Sequence, residues 1–278
     1  MNNLLKRTIS GTGFVAVMLA CLLLSRWLFA ALVVFMTVTM MHEFYRLSIG
    51  RRYMGLQWLG IASGVVLFGL LFAVRSFGMP GHLLGIAIVP VICTMIGAIF
   101  TRDREHIGDF AFILAGLVYI AAPLSLSNLV AFREAGTFNA SLLLCFFILI
   151  WCSDIGAYLF GTAFGQKENS RKLAPHISPK KSWVGFWAGM ATCILAALGL
   201  SALGLLEIPA AHCCALAAII HAGGVCGDLF ESLWKRHFGV KDSGSLIPGH
   251  GGMLDRFDST LIAMPLGAVY LSLTGNLL

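Results

Sequence analysis

The chain has 278 residues, 58% of them hydrophobic and 12% charged, with a formal net charge of +6 and a mean hydropathy of +0.87. Soluble domains average roughly 25% charged and about 45–50% apolar residues, and even large ones keep a polar shell, so a water-soluble globular fold is excluded and lipid is the expected solvent. The positive excess reads as a basic membrane face that meets anionic lipid heads, rather than as a nucleic-acid surface.

Apolar runs bounded by charge, Gly or Pro predict an all-α, polytopic membrane protein of nine spans. They fall near 9–24, 27–47, 56–74, 83–100, 108–130, 141–164, 183–205, 209–235 and 258–277. Lys6 and Arg7 precede the first run with no small-residue cleavage site behind it, so no cleaved signal peptide is expected. Arg26 alone separates the first two runs, and charge decides whether they are one span or two. With nine spans and a cytoplasmic N-terminus, one side collects Lys6, Arg7, Arg46, Arg51, Arg52, Arg102, Arg104, Lys167, Arg171, Lys172, Lys180, Lys181, Lys235, Arg236, Lys241 and Arg256. That is 16 of the 19 Lys and Arg, with Arg26, Arg75 and Arg133 opposite, a strong positive-inside bias. Merging the first two spans moves Lys6 and Arg7 to the wrong side.

Residues 1–140 thus form an N-terminal, lipid-facing scaffold of five spans, and 141–278 a C-terminal catalytic region of four. Two loops on the basic side, 165–182 and 236–257, are long, irregular and rich in Gly, Pro, Ser and charge, which favours function. The eight cysteines form no C-x-x-C pair, and Cys21, Cys93, Cys145 and Cys193 sit in apolar runs, where thiols pack as small hydrophobes.

Three polar groups carry chemistry. Asp154 lies inside the sixth span, in Trp151-Cys-Ser-Asp154-Ile-Gly156-Ala-Tyr158. An acid at mid-membrane costs roughly 2.5–3.5 kcal/mol, so it faces a cavity or a neighbouring helix. The second group is the loop Gly165 to Trp183, where Ser178-Pro-Lys180-Lys181-Ser182 ends as a helix begins. Free N–H groups of a first helical turn beside Lys ammoniums favour phosphate, and the G-x-x-x-x-G-K-[ST] spacing of a Walker loop is missing. In the third group Asp228, Glu231, Ser232 and Lys235 fall at i, i+3, i+4 and i+7, one stripe of a helix. The following loop runs through Lys241, Gly244, Pro248, His250, Gly251 and Gly252 to Asp255 and Asp258, which share one face of a last helix. Two such carboxylates repel or take up protons unless a cation sits between them, and Mg²⁺ suits an oxygen-only set; an acidic helix cap is the alternative for Asp255. His250 has no second His or Cys at zinc-ligand spacing. Carboxylates for metal, cations for phosphates and glycines for close approach are the parts of phosphoryl or nucleotidyl transfer.

The run from Ser232 to Asp258 (S-L-W-K-R-H-F-G-V-K-D-S-G-S-L-I-P-G-H-G-G-M-L-D-R-F-D) resembles the signature of the phosphatidate cytidylyltransferase family. The resemblance extends to Gly227-Asp228-Leu229, Lys172-Leu-Ala-Pro175, Ile177-Ser-Pro-Lys-Lys181 and Asp154-Ile-Gly-Ala-Tyr158. It covers roughly residues 141–278, the first 140 matching in hydropathy alone. Val184 departs from the Glu or Gln usual before the glycine (here Gly185), Trp234 replaces a smaller apolar residue, and the spacer from Gly165 to Lys172 is longer. The resemblance implies conversion of CTP and phosphatidate to CDP-diacylglycerol and pyrophosphate by a polytopic, homodimeric enzyme of the cytoplasmic (inner) membrane, its site facing the cytoplasm. It implies dependence on Mg²⁺ with a second cation such as K⁺, and by motif Asp228, Asp255 and Asp258 become the metal-binding acids. Catalytic candidates are these three with Lys235 and Arg256. Substrate-binding candidates are Asp154, Lys172, Ser178, Lys180, Lys181, Ser232, Arg236, Lys241, His250, Gly251 and Gly252. Two other readings are a CTP-dependent lipid kinase of the dolichol-kinase type, which moves the γ-phosphate, and an ion-coupled transporter, which spreads acids over repeated helices. The D-x-x-D-G-x-x-A-R run of CDP-alcohol phosphotransferases is absent.

Overall fold

The computed structural model describes residues 3–101, 107–167, 170–246 and 251–277, with side chains from residue 11 onward. His250, Pro248, Arg102 and Arg104, and the side chains of Lys6 and Arg7, lie outside what is described. The helices are α1 (Asn3–Leu24), α2 (Arg26–Ser48), α3 (Met54–Phe77), α4 (Ile88–Ile99), α5 (Phe110–Gly116), α6 (Ala122–Ala131), α7 (Ser141–Phe164), α8 (Trp183–Ala202), α9 (Ala210–His237) and α10 (Leu254–Leu273). A 3₁₀ turn over Gly81–Ala87 leads into α4, and a π turn over Leu117–Ala121 joins α5 to α6.

About 20 residues of helix at 1.5 Å each cross a hydrocarbon core of about 30 Å. Seven helical segments among the described residues are long and apolar enough: Arg26–Ser48, Met54–Phe77, Gly81–Ile99, Ile107–Ala131, Ser141–Phe164, Trp183–Ala202 and Ala210–His237. They coincide with the second to eighth expected spans, and the chain is an all-α polytopic membrane protein. The two outer expectations are also helices, of different character. The described apolar part of α1, Gly11–Leu24, is shorter, and α10 carries Asp255, Arg256 and Asp258 in its first turns with Pro265 inside it.

The break between α1 and α2 has a local cause. Ser25 is extended (φ −162°, ψ 141°), and its hydroxyl accepts a hydrogen bond from the Trp27 N–H, satisfying one of the free donors of a new helix. The Arg26 guanidinium next to this cap lies 5.2 Å from the Phe77 ring centre and donates to the Ser76 carbonyl at 3.4 Å. The π turn before α6 precedes Pro123, whose missing N–H and bulky ring disturb the regular i→i−4 ladder.

The chain divides into two compact units, one comprising Met1–Asn139 and Asp242–Arg256, the other Ala140–Lys241 and Phe257–Leu278. In the first unit α3 packs on α2, α4 and α6. Tyr45 is fully buried and donates to the Ile113 carbonyl at 2.8 Å. Gly60 and Gly116 make room for its ring, since a Cβ at Gly116 would stand 2.6 Å from it.

In the second unit α8 packs along α7 and against α9. Small residues repeating every fourth position let the helix backbones touch, the usual way helices associate where lipid competes for apolar surface. A Cβ on Gly185 would fall 2.9 Å from the Ala157 carbonyl, and one on Gly189 2.9 Å from that of Ser153. On α9, a Cβ on Gly223 would be 3.0 Å from Ala263 Cα, and one on Gly227 only 2.4 Å from the Asp258 carbonyl.

The 165–182 segment, expected to be an irregular loop, holds an antiparallel hairpin of β1 (Lys172–Ala174) and β2 (Ser178–Ser182). Its strands are too short and too polar to show the apolar alternation that marks a strand in sequence. Ser182, the last residue of β2, is also the cap of α8, accepting from the Gly185 N–H at 3.2 Å.

Candidate active site

Within the second unit, the hairpin and the facing parts of α7, α8 and α9 enclose a cleft of about 250 Å³. Asp154 from α7, Lys180 and Lys181 from β2 and Asp228 from α9 line it together with Gln166 and Ser182. Four sequence-predicted site residues from three elements therefore meet in one cavity. Lys181 Nζ stands 2.6 Å from Asp228 Oδ2, and Ser232 donates to Asp228 Oδ1 at 3.2 Å, which is the i, i+4 geometry the stripe predicts. Its neighbours in the stripe, Glu231 and Lys235, pair at 2.5 Å, with Glu231 almost wholly buried.

Asp258 joins this group through backbone contact. Because Gly227 has no side chain, the first turns of α10 in this unit lie directly on α9. The Asp258 carboxylate then feels the charges of Asp228, Lys235 and Asp154, while accepting from the Ser259 N–H at 2.6 Å. Asp154 in turn feels the charges of Asp228 and Lys181, which line the same cleft. Three acids and two lysines so arranged, at one end of an apolar bundle, form a built polar site. One position earlier on α7, Ser153 and the buried His221 of α9 are 2.7 Å apart, Oγ to Nδ1. Sequence reading did not single out His221, because one His in an apolar run has no spacing signature.

Other candidates take different positions. Lys172 donates to the Gly165 carbonyl and to Gln166 Oε1, each at 2.9 Å, and Gln166 donates to the Lys180 carbonyl at 2.8 Å. Lys172 is thus part of a brace that holds the strand carrying Lys180 and Lys181. Arg236 donates to the Val240 carbonyl at 3.1 Å, closing the end of α9. Ser178 is half-buried in β2, and Lys241 and Arg256 are exposed.

Asp255 belongs to the first unit, with the loop that precedes α10. It accepts from the Ser243 N–H at 2.9 Å and from the Gly252 N–H at 2.8 Å, as a helix-start carboxylate does. Gly251 has φ +87°, and a Cβ there would meet Asp255 Oδ2 at 2.7 Å, so both conformation and space require glycine. Facing the same loop is Glu43 of α2, which sequence reading missed. It is 8% exposed and accepts from the Met253 N–H at 3.0 Å, the Leu254 N–H at 2.8 Å and the Ser243 hydroxyl at 3.2 Å. A lone carboxylate near the end of an apolar run was the available signal, because such a charge persists only with partners.

An acid-and-lysine cleft built among the helices of a polytopic membrane protein suits a reaction between anionic substrates at a lipid boundary. The cytidylyltransferase family model matches residues 5–274, and the chain belongs to that family. Among curated relatives, phosphatidate cytidylyltransferase of Staphylococcus epidermidis is 36% identical over 168 residues, 60% of this chain and 61% of that protein. The enzyme of the same name from Bacillus subtilis is 33% identical over 180 residues, 65% of each chain. That of Staphylococcus aureus is 36% identical over 168 residues, again 60% and 61%. The matched stretches thus span somewhat under two thirds of these relatives.

Proposed function

We propose that this protein is a phosphatidate cytidylyltransferase, joining CTP and phosphatidate to give CDP-diacylglycerol and pyrophosphate. The observation that carries the reading is the cleft in which Asp154 and Asp228 face Lys180 and Lys181 with Asp258 alongside. A lipid phosphate oxygen attacks the α-phosphorus of CTP, forming one P–O bond as the bond to the β-phosphate oxygen breaks and pyrophosphate leaves. The nucleophile is already an anion, so no strong base is required. The barrier is the repulsion between two polyanions, and removing it is a matter of positioned positive charge.

Lys181 supplies part of that charge. Its ammonium pairs with Asp228. A phosphate entering the cleft competes for Lys181 and leaves the Asp228 carboxylate available for a cation. Lys180 borders the same cavity and grips the second anion, while the Lys172–Gln166 brace keeps both lysines aimed inward.

Among the described residues no three His, Cys, Asp or Glu side chains form a ready metal cage. Mg²⁺ does not need one: it is commonly held by one or two carboxylates, with water and phosphate oxygens completing the shell. Asp228 and Asp258, hard oxygen donors brought together by the Gly227 contact, fit that requirement and would hold it. When bound, Mg²⁺ supplies charge neutralisation on the phosphates, and a second cation such as K⁺ would share the load. By the positive-inside asymmetry the cleft faces the cytoplasm from the inner membrane, and the enzyme acts as a homodimer.

The test is direct. Purified protein with phosphatidate, Mg²⁺ and CTP labelled at the α-phosphate should yield labelled liponucleotide, and Asp258→Asn should yield none while remaining folded. Full activity in Asp258→Asn would refute the metal assignment, and an inert wild type would refute the function.

A further inference from the structure

Glu43 stands far in sequence from every motif that carries the proposed chemistry, yet among the described residues the hydrogen bonds to its carboxylate come from the segment that launches α10. Its two oxygens accept from Met253 N, Leu254 N and Ser243 Oγ, between 2.8 and 3.2 Å. Asp255 accepts from Ser243 N and Gly252 N. Five donors from four residues are thus shared between two carboxylates, and Ser243 is divided, its hydroxyl to Glu43 and its N–H to Asp255. The fit is close. A Cβ on Gly244 would stand 2.6 Å from Glu43 Oε1, and one on Gly252 2.5 Å from Oε2. These glycines therefore exist in part to let the loop wrap a carboxylate from α2.

We infer that Glu43 is a positioning residue for cytidylyl transfer, fixing the loop and the first turn of α10, which carries Asp255, one of the acids that the family resemblance marks for metal. The physical reason is that the first N–H groups of a helix have no partner within it, and a buried anion satisfies them with charge-assisted hydrogen bonds, which are short and directional. A neutral acceptor would hold the same loop more loosely. The carboxylate of Glu43 is in turn buried without expense to the fold only because these donors meet it. Glu43 touches neither nucleotide nor lipid; it acts through the loop. This inference rests on the proposed function for its kinetic consequence, whereas its structural consequence is independent of it.

The experiment compares Glu43→Gln with wild type in two readouts on the full chain in detergent. Hydrogen exchange at the Ser243, Gly252, Met253 and Leu254 amides should quicken in Glu43→Gln, with the remaining helices unchanged. Liponucleotide formation should show kcat lowered about 10–100-fold, the scale at which groups that orient metal ligands act, and a raised half-saturating Mg²⁺ concentration. A merely structural role would lower the amount of folded protein and leave that Mg²⁺ dependence where it was. Unchanged exchange of the loop, or wild-type kcat and Mg²⁺ dependence in folded Glu43→Gln, overturns the inference. Should Glu43→Gln not fold, Ser243→Ala removes one of the donors and should show a smaller shift of the same parameters; no shift in it overturns the inference equally. An inert wild type with the predicted exchange pattern would sink the function and leave the anchor standing.

Discussion

Replacing Gly227 by Ala adds one methyl group at the place where α9 meets α10. The added carbon would stand 2.4 Å from the Asp258 carbonyl oxygen and 3.1 Å from both its carbonyl carbon and Ser259 Cα. Ordinary contacts begin at 3.4 Å, so the two helices must part locally by about 1 Å, and the obstacle is backbone, which cannot rotate aside. Overpacking of this kind costs about 1–3 kcal/mol, seen as a lower melting temperature. The larger effect should be kinetic. Asp228 follows Gly227 directly and Asp258 is the residue it touches, so the separation of two acids in the site changes by a distance that typically costs on the order of 100-fold in rate. The assay is liponucleotide formation by folded protein, with Gly199→Ala as the control. Gly199 lies on α8 with nothing within 4 Å of an added Cβ, and Ala there gains about 1 kcal/mol of helix propensity without touching the site. Wild-type turnover and stability in Gly227→Ala would mean that the α9–α10 contact does not set the active geometry.

Three further outcomes are expected. Lys181→Met removes the ammonium 2.6 Å from Asp228 and leaves Asp228 and Asp154 without it. Since a hydrogen bond to a charged group contributes about 1.5–3 kcal/mol, KM for one anionic substrate should rise on the order of tenfold or more; both KM values within twofold of wild type would remove Lys181 from the binding site. Lys172→Met should lower thermal stability, because two hydrogen bonds of the hairpin brace are lost, with KM for CTP rising only modestly as the strand carrying Lys180 and Lys181 loosens. A tenfold rise in that KM at normal stability would give Lys172 the substrate contact the sequence suggested. Chelation by EDTA should stop liponucleotide formation and added Mg²⁺ restore it, and turnover that survives exhaustive chelation would exclude a metal-dependent transfer.

Hydropathy made the membrane fold legible because lipid leaves few choices: a spanning segment must satisfy its own backbone, and apolar length reveals it. Spacing within one helix was equally readable. Asp228 with Ser232 and Glu231 with Lys235 pair as i, i+4 residues must. The start of α8 after Ser182 could be read from its capping chemistry. What sequence could not supply was partnership between distant segments. Nothing near Glu43 names Ser243, Met253 and Leu254 as its donors, and nothing near Ser153 names His221. The hairpin stayed hidden because two polar strands of three and five residues carry no periodic signal. Lys172 looked like a phosphate ligand for the same reason that it makes a good brace: a long cation reaches whatever oxygen is nearby.

The claim on which the account rests is transfer of CMP from CTP to a lipid phosphate in the Asp154–Lys181–Asp228–Asp258 site. Parallel reactions with CTP labelled at the α- or the γ-phosphate decide it. The α-label should pass into lipid and the γ-label into pyrophosphate, both in wild type and neither in Asp258→Asn. Transfer of the γ-label to lipid would contradict the account and make the protein a kinase.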